Sequence, residues 1–132
     1  MTVGDQVEAK GRDVFDSDCP AREVLNHITS RWAVLVLLAL RGGPLRFHQL
    51  RDRIDGVSEK MLSQNLRVLT RDGLLDRTVT PTVPPSVSYD LTAIGREGVA
   101  HLAELTEWIT RVAPAVQAAQ ERHDTPDTPP TR

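Results

Sequence analysis

The stretch Phe47-His48-Gln49-Leu50-Arg51-Asp52-Arg53-Ile54, Asp55-Gly56-Val57, Ser58-Glu59-Lys60-Met61-Leu62-Ser63-Gln64-Asn65-Leu66-Arg67-Val68-Leu69 reads as two short amphipathic helices joined by a tight turn. Phe47, Leu50 and Ile54 recur at helical spacing, Gly56 supplies a turn residue without a side chain, and Ser58 stands where a new helix needs an oxygen cap. Opposite the apolar stripe of the second helix lie Lys60, Ser63, Gln64, Arg67 and Arg71. These residue types hydrogen-bond phosphates and base edges, so the segment reads as a helix-turn-helix whose second helix enters a major groove.

Working outward, the pattern changes period on the carboxyl side. Asp72-Gly73 ends the helix, and Leu75, Arg77 and Val79 then alternate with Asp76, Thr78 and Thr80. Thr82 to Ser86 holds two prolines, after which Val87, Tyr89 and Leu91 alternate with Ser88, Asp90 and Thr92. Proline offers no N–H to a ladder and suits a tip, so this is a β-hairpin, the wing of a winged helix. On the amino side, Pro20 starts a helix running to about Ile28, and Thr29 or Ser30 caps a second through Leu40. The second is apolar on every face and is expected to be surrounded; Gly42-Gly43-Pro44 ends it, and Leu45-Arg46 forms a short extended segment. From Thr92 a helical pattern returns, with Leu102, Leu105, Ile109, Val112 and Val116 as a heptad seam beside Trp108. These six are expected to form a dimer contact, packing against the chain's own core being the alternative, and Pro114 is expected to kink or restart the helix.

The expected fold is therefore mainly α with a small β-hairpin wing, dimeric through terminal helices. The expected organisation is a flexible arm over 1–18, the winged domain with its dimerisation helix over 19–122, and a disordered tail over 123–132. The longest apolar run, Trp32 to Leu40, is less than half of the roughly 20 residues needed to span a bilayer, and no cleavable signal is visible. The expectation is a cytoplasmic protein of 132 residues without membrane attachment.

Net charge is −2, but it is unevenly spread. Residues 31–77 carry nine Arg or Lys against five Asp or Glu, net +4, while the remainder carries seven against thirteen, net −6. The basic excess coincides with the helix-turn-helix, and a local field of that sign attracts phosphate. One cysteine excludes an internal disulfide framework, and His27, His48, His101 and His123 show no metal-ligand spacing, so no cofactor or metal is expected. An enzyme would need a nucleophile with its base, a metal set or a glycine-rich phosphate loop, and none is present. A protein-interaction adaptor would present apolar anchors on the solvent face of 60–71, which is basic and polar instead.

From Cys19 to about Trp108 the chain resembles the HxlR family of bacterial transcriptional regulators, winged-helix proteins related to the MarR type. The resemblance rests on Cys19-Pro20, Trp32, Gly43-Pro44-Leu45-Arg46-Phe47, Val57-Ser58-Glu59-Lys60-Met61-Leu62, Asp72-Gly73-Leu74 and Val83-Pro84-Pro85-Ser86-Val87-Ser88-Tyr89-Asp90-Leu91-Thr92 with Gly95 after it. It implies a homodimer on double-stranded operator DNA, often beside genes of stress or redox metabolism. The chain departs from the family in Thr29-Ser30-Arg31, where Gly-Gly-Lys is common, and in Ser86, where a basic residue is common.

Gln64 and Arg67 are the expected base readers, and Lys60 in the first helical turn a phosphate ligand. Ser58 caps and touches phosphate; Ser63 and Arg71 complete the face. Arg46, His48 and Arg51 are candidates for the backbone, His48 equally a plain surface residue, and Thr80, Thr82 and Ser86 are neutral hydrogen bonders on the wing. Cys19 opens a helix whose dipole, with Arg22, favours a thiolate that Asp16 and Asp18 oppose. It is read either as a sensor of oxidants or electrophiles, as the resemblance suggests, or as a small buried residue; a noncovalent effector is the alternative mode of control.

Overall fold

Each helix of the chain starts and stops where its residues demand. The computed structural model describes residues 13–126. Helix α1 spans Pro20–Ile28 and α2 spans Arg31–Ala39, which tightens into a 3-10 turn over Leu40–Gly42. Gly43, at φ +130°, then reverses the chain into β1, Leu45–Arg46. Helix α3, Phe47–Arg53, and helix α4, Glu59–Arg71, form the helix-turn-helix, with Gly56 at φ +86° in the turn. Strands β2, Leu75–Thr80, and β3, Ser86–Leu91, make the wing, and α5 runs from Ala93 to Asp124.

The wing is a three-stranded antiparallel sheet in the order β1-β3-β2, since Leu45 and Arg46 pair with Tyr89 and Ser88 of β3. Leu75 lies opposite Leu91, Arg77 opposite Tyr89 and Thr80 opposite Ser86. The anticipated hairpin thus gains a third strand from the segment that leads into α3.

The core is wholly apolar. Leu62, Leu66 and Leu69 of α4 recur on one face and join one cluster with Val36 and Leu37 of α2, Leu40 of the 3-10 turn, Leu50 of α3, Leu75 and Leu91 of the sheet, and Val99 of α5. Burying a leucine side chain stabilises by roughly 1.5–3 kcal/mol, so this cluster fixes the angle at which α4 is presented.

Several expectations change. Helix α2 is covered on one side only: Leu35 is 40% exposed and borders a cleft with Leu38 and Arg53, because the helices packed on α2 leave that side open. Ser30 precedes α2 without capping it; its hydroxyl donates to His27 O (3.0 Å) and to Asn65 Oδ1 (3.3 Å). Helix α5 is one 32-residue helix that passes through Pro114 without restarting. Pro114 is exposed, so water can satisfy the Thr110 carbonyl it leaves without a helical donor. Residues 13–18 form turns, with Asp16 N–H donating to Asp13 O at 2.9 Å, and α5 carries His123 and Asp124, which the sequence reading gave to the tail. The rest of the expected arm and tail, 1–12 and 127–132, lies outside the described residues.

Candidate nucleic-acid interface

Ser58 starts α4 as its residue type requires: its Oγ accepts the Met61 N–H at 3.1 Å. With Leu62, Leu66 and Leu69 facing the core, an α-helical turn of 3.6 residues sets Lys60, Gln64, Arg67 and Arg71 within roughly 60° of one another on the opposite side. All four are exposed. The flanks differ. Ser63 and Thr70 lie toward the wing, whereas Met61, Gln64, Asn65 and Val68 border a cleft of about 330 Å³ against His27, Arg31 and Trp32. In that cleft the Arg31 guanidinium lies 4.6 Å from the Trp32 ring centre.

Arg46 and His48 are both exposed, at the start of α3, and share one groove with Thr80, Thr82 and Ser86 of the wing. The structure thus brings together two groups, Arg46 with His48 and Thr80 with Thr82 and Ser86, that are more than 30 positions apart in sequence. Within the groove, Thr82 is engaged locally, its hydroxyl donating to Pro84 O at 2.8 Å. Arg46 also fixes α3, its N–H donating to Gln49 Oε1 at 2.8 Å.

Arg51 is exposed on α3, where its Nη1 donates to Glu59 Oε1 at 2.6 Å and ties α3 to the first turn of α4. Leu102, expected in a dimer contact, is instead 8% exposed and belongs to the chain's own core, because it faces the domain one turn after Val99. Leu105, Trp108, Ile109 and Val116 are about half exposed, at 48%, 51%, 49% and 48%, and Val112 is partly covered. Cys19 sits at the N-cap of α1 and is 3% exposed, its N–H donating to Asp16 O at 3.2 Å.

Arg77 is a basic residue to which the sequence reading gave no role. It occupies the β2 row opposite Tyr89 and lines a cleft of about 450 Å³ with Ser63, Arg67 and Arg71. The available signal was an arginine in the otherwise apolar row Leu75, Arg77, Val79.

A helix-turn-helix whose second helix exposes a basic, polar face, followed by a sheet that flanks the same surface, defines a winged helix-turn-helix protein. The HxlR-like helix-turn-helix family matches residues 27–117. YtfH of Escherichia coli strain K12, an HTH-type transcriptional regulator itself uncharacterised, is 48% identical over 114 residues, covering 86% of this chain and 90% of that protein. The solved ytfH structure from Salmonella typhimurium is similar at 50% identity and a TM-score of 0.79, over 83% of this chain and 97% of that one. The redox regulator HypR in its reduced form is similar at 28% identity and a TM-score of 0.70, over 75% and 98% of the two chains. This chain belongs to the HxlR-like helix-turn-helix family: it is a DNA-binding transcriptional regulator and not an enzyme. Among the described residues no single helix is long and apolar enough to cross a membrane.

Proposed function

We propose that the protein binds a pseudo-palindromic operator as a homodimer, with α4 of each protomer in a major groove and the wing groove along the adjacent backbone. The observation that carries this reading is the exposed arc of Lys60, Gln64, Arg67 and Arg71 opposite a fully apolar face. Two-fold symmetry puts the half-sites about 10 base pairs apart, or a multiple of that. Lys60 stands in the first helical turn, where positive charge attracts phosphate, while Gln64 and Arg67 follow at the depth of base edges. A regulator that reads chromosomal DNA in this way works in the cytoplasm.

Selection of bound fragments from the source genome supplies the operator, and three substitutions then test the arrangement. Gln64→Ala and Arg67→Ala should each relax preference at a defined operator position and cost roughly 1–3 kcal/mol. Lys60→Ala should weaken specific and nonspecific duplex alike and flatten the salt slope by about one per protomer. Equal losses on every sequence, with preference intact, would show that α4 does not read bases.

Regulation through Cys19 is a second reading, favoured by its position and by the similarity to a redox regulator. Cys19 occupies the N-cap position of α1, and the other end of α1 is held to the end of α4 by His27 Nδ1 and Asp72 Oδ2 at 2.6 Å. With 3% of its surface exposed, the thiol reacts when the first turn of α1 opens, and an adduct there prevents that turn from closing. One cysteine per chain leaves an intersubunit bridge, a mixed disulfide or an electrophile adduct as products. Diamide or a quinone should release the wild-type protein from its operator while Cys19→Ser stays bound; equal behaviour of the two proteins would assign Cys19 to packing and control to a noncovalent effector.

A further inference from the structure

We propose that Arg71 and Arg77 form a phosphate clamp at the root of the wing, gripping the DNA backbone beside the base edges that Arg67, on the rim of the same cleft, reads. The proposal rests on the operator-binding reading above and extends it to a residue on the sheet. Alternation along β2 turns Leu75, Arg77 and Val79 to one face of the sheet, with Leu91, Tyr89 and Val87 opposite them on β3. The first row, Leu75 and Leu91, is buried in the core. The second row, Arg77 and Tyr89, comes out at the cleft that also receives Arg67 and Arg71 from α4.

The acidic residues nearest this cleft are turned to other partners. Asp72 is held by His27 at 2.6 Å, Asp90 by Arg96 at 3.1 Å, and Asp76 points to the other face of β2. No carboxylate lines the cleft, and among the described residues none of its three arginines makes an ion pair or a hydrogen bond to a side chain. Three like charges converging without a counter-charge repel one another, and an anion between them reverses the sign of that interaction.

The chemistry selects the anion. Guanidinium groups present paired N–H donors that match two oxygens of a phosphate, and Ser63 and Tyr89, which also line the cleft, are hydroxyl-bearing residues. Thr70 adds none, because its hydroxyl donates to Leu66 O at 2.6 Å. The cleft borders the carboxyl half of α4, whose dipole opposes an anion, so the arginines must supply the attraction. That end of the helix is also the one farther from the turn that enters the groove, where a phosphate rather than a base edge comes within reach.

The test compares wild type, Arg77→Gln and Arg77→Lys on a labelled mixed-sequence duplex about 30 base pairs long, by anisotropy at several salt concentrations. Between about 50 and 200 mM salt, wild-type affinity should fall about 3.5-fold further per protomer than that of Arg77→Gln. Arg77→Lys should keep the wild-type slope, which a merely structural role for Arg77 would not predict. Operator preference should be the same in all three. Wild-type binding with an unchanged slope in Arg77→Gln overturns the clamp and leaves operator binding standing, whereas a wild-type protein that binds no duplex overturns both. A parallel melting series with inorganic phosphate separates the sources of the anion. Stabilisation beyond that given by chloride at equal ionic strength, lost in Arg77→Gln while the duplex slope is unchanged, would assign the cleft to a free phosphate and overturn the DNA clamp.

Discussion

Gly95 is the residue that seats the terminal helix on the domain. A Cβ built there would lie 2.2 Å from Leu74 O, the carbonyl that accepts the Thr92 N–H at 3.0 Å. Thr92 joins the two segments, its hydroxyl donating to Gly73 O (2.6 Å) and accepting from Gly95 N–H (3.1 Å). Gly95→Ala should therefore force α5 away from the end of α4 and cost about 1–3 kcal/mol in chemical unfolding. Gly98, three residues on, has nothing within 4 Å of the same position, so Gly98→Ala should be neutral or stabilise by up to about 1 kcal/mol. Loss of stability in both variants would point to helix geometry rather than to the close approach at Gly95. Single residues were unevenly legible in the sequence. Ser58 was readable because a cap acts within one turn, whereas the fate of Arg51 depends on where the turn Asp55-Gly56-Val57 sets Glu59 down, which no local pattern encodes.

At the level of elements, periodicity located α3, α4, α5 and strands β2 and β3, because the rows that must face a core repeat at fixed intervals, while α1 and α2 were placed by Pro20, the residues before Arg31 and Gly42-Gly43-Pro44. What it left open is which core they face. Leu102 and Leu105 belong to the same 3-4 pattern, yet the first is 8% exposed and the second 48%. An apolar stripe looks the same whether its partner is the chain itself or another copy. Likewise, alternation along β2 fixed the face that carries Arg77 but not the row at which the sheet leaves the core, and the clamp cleft lies at that row. The buried residues of α5 are Gly95, Val99 and Leu102, so the part of this helix, roughly 48 Å long, that follows Leu102 adds no buried residue to the core. Ile109→Asp, at a half-exposed position, should leave the monomer fold intact by circular dichroism. It should shift sedimentation from dimer to monomer and weaken operator binding at least tenfold. A variant that still sediments as a dimer would move the contact to the exposed Val24 and Leu25 of α1.

Across the whole molecule, charge is divided along the sequence: residues 31–77 hold a surplus of four positive charges and the rest a deficit of six, so the segment that carries the helix-turn-helix is the one whose charge attracts phosphate. The attachment of α1 differs from that of the other helices. It buries none of its residues, Ile28 being half-covered, and it is held to the reading helix by His27 with Asp72 and, just past its end, by Ser30 with Asn65. Apolar contact weakens gradually as surfaces slide apart, but a hydrogen bond at 2.6 Å is gone once its partners separate by about an ångström. On the Cys19 reading proposed above, α1 works as a latch rather than a spring: an adduct at its far end is felt by the reading helix as the loss of the His27–Asp72 bond.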